Sequence, residues 1–196
     1  SDNPELRGNA AMILGLMGNK SAVGLIKRAS QSTPDSIPSI RRRLINLQMA
    51  EALVKLGEES ELVVIRAAIF SSIQEAEITA LACQISGRIK DKQILPTLES
   101  IAMTPERFPD EIRLVASTAI AEIAPDKVPT EIVLRFTSNE LPKLRAQSAT
   151  TLGIQGNQVN LGPLAQMMKD SDPLVQIAAS GAVLRIDNGD SMAIVH

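Results

Sequence analysis

The chain contains no tryptophan and no tyrosine, and only three phenylalanines, Phe70, Phe108 and Phe136. A β-sandwich or barrel draws on aromatic and β-branched strand residues, so aromatics at 2% argue against an all-β fold. The core is left to Leu, Ile, Val, Ala and Met, the side chains of packed helices. With one cysteine, Cys83, an intrachain disulfide is impossible. Cys83 and the one histidine, His196, cannot assemble a zinc site of His and Cys ligands. No apolar run approaches the roughly 18–20 residues of a membrane span. The longest candidate, Leu62 to Phe70, is interrupted by Arg66. A formal net charge of -2 gives no sign of a polyanion-binding surface or an acidic tail. No signal peptide opens the chain. The expected compartment is the cytoplasm, although Ser1-Asp2-Asn3 reads as the edge of a longer sequence, which leaves an export signal open.

What is present is a repeat. Pro4-Glu5-Leu6-Arg7 is followed by Ala10-Ala11, Leu14-Gly15 and Gly18. At identical spacing, Pro142-Lys143-Leu144-Arg145 is followed by Ser148-Ala149, Leu152-Gly153 and Gly156. The same frame fits from Ile45, Ile78, Ile112 and Val175, least closely from Ile45. Each frame is apolar at the anchor and at the fourth, eighth and eleventh residues after it, which is a helical stripe. The small pair after the anchor allows a neighbouring backbone to come close. Gly18, Gly57 and Gly156 suit helix C-caps, and Asn3-Pro4 and Asp172-Pro173 suit helix starts.

A second, shorter apolar helix is expected after each first one. Its faces are Ala22, Leu25, Ile26 and Ala29; Leu62, Ile65 and Ile69; Ile94, Leu95, Leu98, Ile101 and Ala102; Val128, Ile132, Val133 and Phe136; and Leu161, Leu164, Ala165 and Met168. The sixth frame has a first helix over about 173–186 and the start of a partner at Met192 to Val195. Neither helix of a pair can bury its stripe alone, whereas stacked pairs share one core.

This pattern of Pro-x-Leu-Arg, two small residues, Leu-Gly-x-x-Gly and a second helix resembles the HEAT repeats, an armadillo-like helical-repeat class. It is most similar to the short HEAT-like type also found in phycobilisome bilin lyases. The resemblance implies an all-α fold, a right-handed α-α superhelix or solenoid of about six helix pairs with the last incomplete. The pairs span about 4–30, 38–71, 73–104, 109–138, 141–170 and 172–196 in a single domain, within a parent protein extending past at least one end. Arg7, Arg113 and Arg145, just after their anchors, would belong to a structural ladder of inter-repeat contacts.

Catalytic chemistry is not legible. Cys83 occupies the small-residue position of its frame and reads as a buried, inert thiol. Glu58, Glu59 and Glu61, and Asp110-Glu111, read as helix-start charges complementing the macrodipole rather than as an acid–base pair. The glycines recur at repeat positions and form no phosphate-binding fingerprint. Arg41-Arg42-Arg43 fans around a helix axis, so it presents no single basic face, and aromatic rings for base stacking are missing. No catalytic residue, metal or cofactor is assigned.

The expected function is a non-catalytic scaffold that binds another protein. The surface residues are Lys27, Gln93, Thr97, Arg135, Gln166 and Lys169, on the second helices that would line the concave face. Val64 and Arg66 join them, in a segment apolar almost all round that either lies under a long loop or faces a partner. The alternatives are a bilin-lyase-like or chaperone-like protein and, less favoured by charge, a nucleic-acid binder. Two proline-bearing loops, Ser30 to Pro38 and Met103 to Pro109, lengthen the repeat where function is often added.

Overall fold

The computed structural model describes residues 3–32 and 37–193. They form an all-α structure, and no strand occurs among the described residues. The chain divides into two compact units, Ser1–Ile89 and Lys90–His196, and the division falls inside the span expected for the third repeat.

The first unit holds α1 (Pro4–Leu16), α2 (Val23–Gln31), α3 (Ser39–Lys55), α4 (Leu62–Ala68) and α5 (Ala76–Arg88). Helix α1 packs on α3 and α3 on α5, while α2 lies against α3, and α4 against both α3 and α5. Ala11, Ile26, Ile45, Met49, Ala52, Leu53 and Leu56 form its buried centre. The second unit holds α6 (Leu95–Met103), α7 (Asp110–Ile123), α8 (Thr130–Arg135), α9 (Pro142–Gln155), α10 (Leu161–Met167) and α11 (Pro173–Ala193). Here α7 packs on α9 and α9 on α11, with α6, α8 and α10 against α7, α9 and α11 respectively.

The frame read from sequence governs how the longer helices meet. Glycines stand at the ninth position after the anchors Leu6 and Leu144. A Cβ on Gly15 would lie 2.8 Å from the Ala52 Cα, and one on Gly153 would lie 2.6 Å from the Ala182 Cα. Ala52 and Ala182 are each the seventh residue after their own anchor. Two helix pairs, one in each unit, therefore meet through the same two frame positions. Bare backbone against a methyl lets the helix axes approach closely; beside the second contact Ser148, Ala149 and Ala179 are fully buried, whereas Ala10, near the first, is exposed.

The helix ends follow the same period. Gly18, Gly57 and Gly156 all have positive φ, as expected for C-caps, and Lys90 takes the equivalent place with φ 55. One residue later Asn19, Asp91 and Asn157 accept from the backbone N–H two residues on, at 3.2, 3.1 and 3.1 Å. Each such cap starts a 3₁₀ turn that leads into a second helix. At the starts, the Asn3 side chain accepts from Glu5 N at 2.9 Å, and that of Asp172 from Leu174 N at 2.8 Å.

Two expectations change. Helix α11 runs unbroken to Ala193, so Met192 and Ala193 belong to it and not to a partner helix; Ile194 and Val195 lie outside the described residues. Asn188-Gly189 carries no left-handed stop, and neither proline nor cap interrupts the helical hydrogen bonds. The second helices also bury a narrower stripe than expected. Leu25, Ala165 and Met168 are exposed, and Met167 is buried in place of Met168. A helix of about two turns meets its neighbours along one line only.

The glycine contact yields a quantitative expectation. Gly153→Ala forces backbone apart and should cost about 1–3 kcal/mol. Gly162→Ala, where a Cβ meets nothing within 4 Å, should change stability by less than about 0.5 kcal/mol or raise it slightly. Urea midpoints report the difference, and equal midpoints would contradict the close approach of α9 and α11.

Candidate protein-binding surface

The expected surface residues divide between the two units. In the first, Lys27 lies on α2, and Val64 and Arg66 on α4. In the second, Gln93 lies in the turn before α6, Thr97 on α6, Arg135 at the end of α8, Gln166 on α10 and Lys169 just beyond it. Val64, Gln93, Arg135, Gln166 and Lys169 are exposed, and Lys27, Arg66 and Thr97 are half-buried. Lys27 is engaged with Glu58 across the α2–α3 packing.

Helix α4 is the place where apolar surface and space coincide. Its inner side, Ile65 with Ala68 and the following Ile69, is buried, which uses the core stripe. Its outer side leaves Val63 69% and Phe70 68% exposed, with Val64 and Ala67 beside them. The choice left open by the sequence, cover or exposure, falls to exposure. Next to this face runs a groove of about 260 Å³, lined by Val64 and Ala67 on one side and Leu47 and Ile78 on the other. Asn46 also lines it, and its buried Oδ1 accepts no hydrogen bond.

Several ionic side chains pair within the units. Arg41 pairs with Glu5, and Arg43 with Glu75 and with Ser71 Oγ at 2.8 Å. Arg41 and Arg43 are thus committed to different elements, as the fanned spacing requires. The three frame arginines act as clamps, and Arg113 and Arg145 reach the segments that precede their own helices. Arg7 donates to Ser32 Oγ at 2.9 Å, beyond the end of α2. Arg113 donates to the Ala102 carbonyl at 3.1 Å, at the end of α6. Arg145 holds both oxygens of Asp170 at 2.7 and 2.8 Å and also donates to the carbonyls of Asn139 and Glu140. Each pins a first helix to a chain segment that leaves a second one.

The acidic groups behave as helix-start charges. Glu111 takes its own backbone N–H and Lys143, and both hold its carboxyl below the usual range. Glu59 and Glu61 bound the short turn before α4. Burial pushes the Cys83 thiol up to about 12, which leaves no thiolate at neutral pH. No cluster of three or more potential metal ligands occurs among the described residues. No helix among them is long and apolar enough to cross a membrane.

One charged group was missed by the sequence reading. Glu51 is 1% exposed in the middle of α3. Its carboxylate accepts from Arg88 Nε and Nη2 at 2.8 and 2.7 Å and from Lys55 Nζ at 2.8 Å. Burial raises its pKa, but the hydrogen bonds from Arg88 and Lys55 outweigh burial and leave it lowered. The available signal was the spacing of Glu51 and Lys55, one helical turn apart, with alanines on both sides of the acid.

A lowered folded-state pKa stabilises above the unfolded value, and the stabilisation fades as pH falls through the folded one. Arg88→Met should therefore cost about 1–3 kcal/mol at pH 7 by removing one partner of a buried carboxylate. The gap to the wild type should narrow as pH drops from about 5 to about 3. Urea unfolding across that range checks it; a gap independent of pH would assign the loss to packing alone. No family model matches the chain and no curated protein matches it significantly, so function has to be read from its own residues.

Proposed function

We propose that the helix pairs stack as a HEAT-like, right-handed superhelix and that the protein is a non-catalytic scaffold for another protein. The stacking is supported by the shared frame positions of the Gly15–Ala52 and Gly153–Ala182 contacts and by the clamp arginines. A protein of this build offers extended surface rather than a deep pocket.

The observation that carries the binding role is the outer face of α4. Val63, Val64 and Phe70 lie exposed together beside a groove floored by aliphatic side chains. Exposed apolar surface next to a groove suits an apolar side chain of a partner segment. Arg66 flanks the face, while Gln93, Thr97, Arg135, Gln166 and Lys169 supply the mixed polar surface of the other second helices. A single buried thiol is compatible with the cytoplasm, where we place the protein.

Val64→Asp tests the role. Val64 is exposed, so the change should alter stability by less than about 0.5 kcal/mol. A purified partner that binds the wild type, followed by calorimetry, should lose affinity for the variant at least about tenfold, since about 1.4 kcal/mol of apolar contact is removed. Unchanged affinity across all captured partners, or a sharp fall in stability, would overturn the assignment to α4.

A further inference from the structure

The outer face of α4 has a direction. Val63, Ala67 and Phe70 follow one another at four and three residues, with Val64 beside Ala67. These exposed residues form one helical strip, opposite the buried Ile65, Ala68 and Ile69. Ala67, in the middle, is the smallest of them, which leaves a notch between Val63 and Phe70. The notch opens on the groove whose other side is Leu47 and Ile78, both buried. From Val63 to Phe70 the strip rises about 10 Å, the length of two turns of a facing helix.

Charge around the strip is uneven. Glu59 and Glu61 lie one turn before Val63 and Val64. Glu58 beside them is held by Lys27, whereas among the described residues Glu59 and Glu61 have no ion-pair partner. Of the cations beside the strip, Arg43 is committed to Glu75 and Ser71, and Arg66 is also engaged within the chain. The charge left open is therefore negative and gathered at the end where the strip begins.

We propose that the occupant of the α4 face is a basic amphipathic helix of another protein. One of its aliphatic side chains fills the notch over Ala67, and a Lys or Arg about one turn away meets Glu59 and Glu61. The same carboxylates repel nucleic acid and an anionic lipid surface. It rests on the reading of α4 as the binding surface and adds the form and the charge of what binds there.

Panning the whole chain against a displayed library of helical peptides of about 15 residues, randomised along one face and at both ends, tests it. Enriched peptides should carry aliphatic residues four and three positions apart and Lys or Arg at one end. Synthetic copies of these peptides then serve as the probe in calorimetry. Val64→Asp should weaken them at least about tenfold. Glu59→Gln with Glu61→Gln should weaken them about threefold or more at low salt and flatten their dependence on sodium chloride. Glu59→Gln alone, with a smaller loss, replaces the pair should the double variant lose its urea midpoint. Peptides that respond to Val64→Asp but carry no basic preference, and ignore the glutamine variants, overturn the basic helix and leave the α4 surface standing. Peptides indifferent to Val64→Asp overturn both. A library that yields no binder also overturns the basic helix. So does a Val64-dependent dimer of the chain in sedimentation velocity, or Val64-dependent binding to vesicles of phosphatidylcholine and phosphatidylserine.

Discussion

Two glycine–alanine contacts, Gly15 on Ala52 and Gly153 on Ala182, set the spacing on which the packing of both units depends. A helix presents a face only as close as its largest side chain there allows. With no side chain on one partner and a methyl on the other, backbones approach to near van der Waals contact. The small positions beside the second contact, Ser148 with Ala149, then have no room for anything larger, and they are fully buried. The arginine clamps follow from the same geometry. Once first helices lie this close, the segments leaving the second helices pass within reach of Arg7, Arg113 and Arg145.

The first helices were legible in the sequence because their frame is a steric requirement, and steric requirements restrict residue type. Gly18, Gly57 and Gly156 announced the left-handed caps, and the structure puts positive φ at each. Lys90 fills the same place without glycine, and only counting from Ile78 would have located it. The second helices were less legible. They have about two turns, so a shift of the stripe by one position, Met167 for Met168, fits the sequence equally well. The continuity of α11 through Asn188-Gly189 was not legible, because a glycine can end a helix or sit inside one.

The surface was legible to a smaller degree. Val64 was marked by an apolar run that a single buried stripe cannot use, and the structure leaves its outer side open. Glu51 escaped notice because its chief partner, Arg88, is distant in sequence, and only packing of α3 on α5 brings them together. Charges that looked available, such as Arg41, Arg43 and Lys27, are bound to Glu5, Glu75 and Glu58. The apolar surface that remains for recognition in the first unit is the outer face of α4.

The register of the first helices is the central claim, and nuclear Overhauser effects measure it most directly. The Hα protons of Gly15 and Gly153 should show strong cross-peaks to the methyls of Ala52 and Ala182, because a Cβ on each glycine would lie 3.0 and 2.6 Å from the respective methyl carbon. Strong cross-peaks at both pairs are expected. Their absence, or contacts from either glycine to a residue one turn away on the facing helix, would contradict the shared register and the stacking built on it.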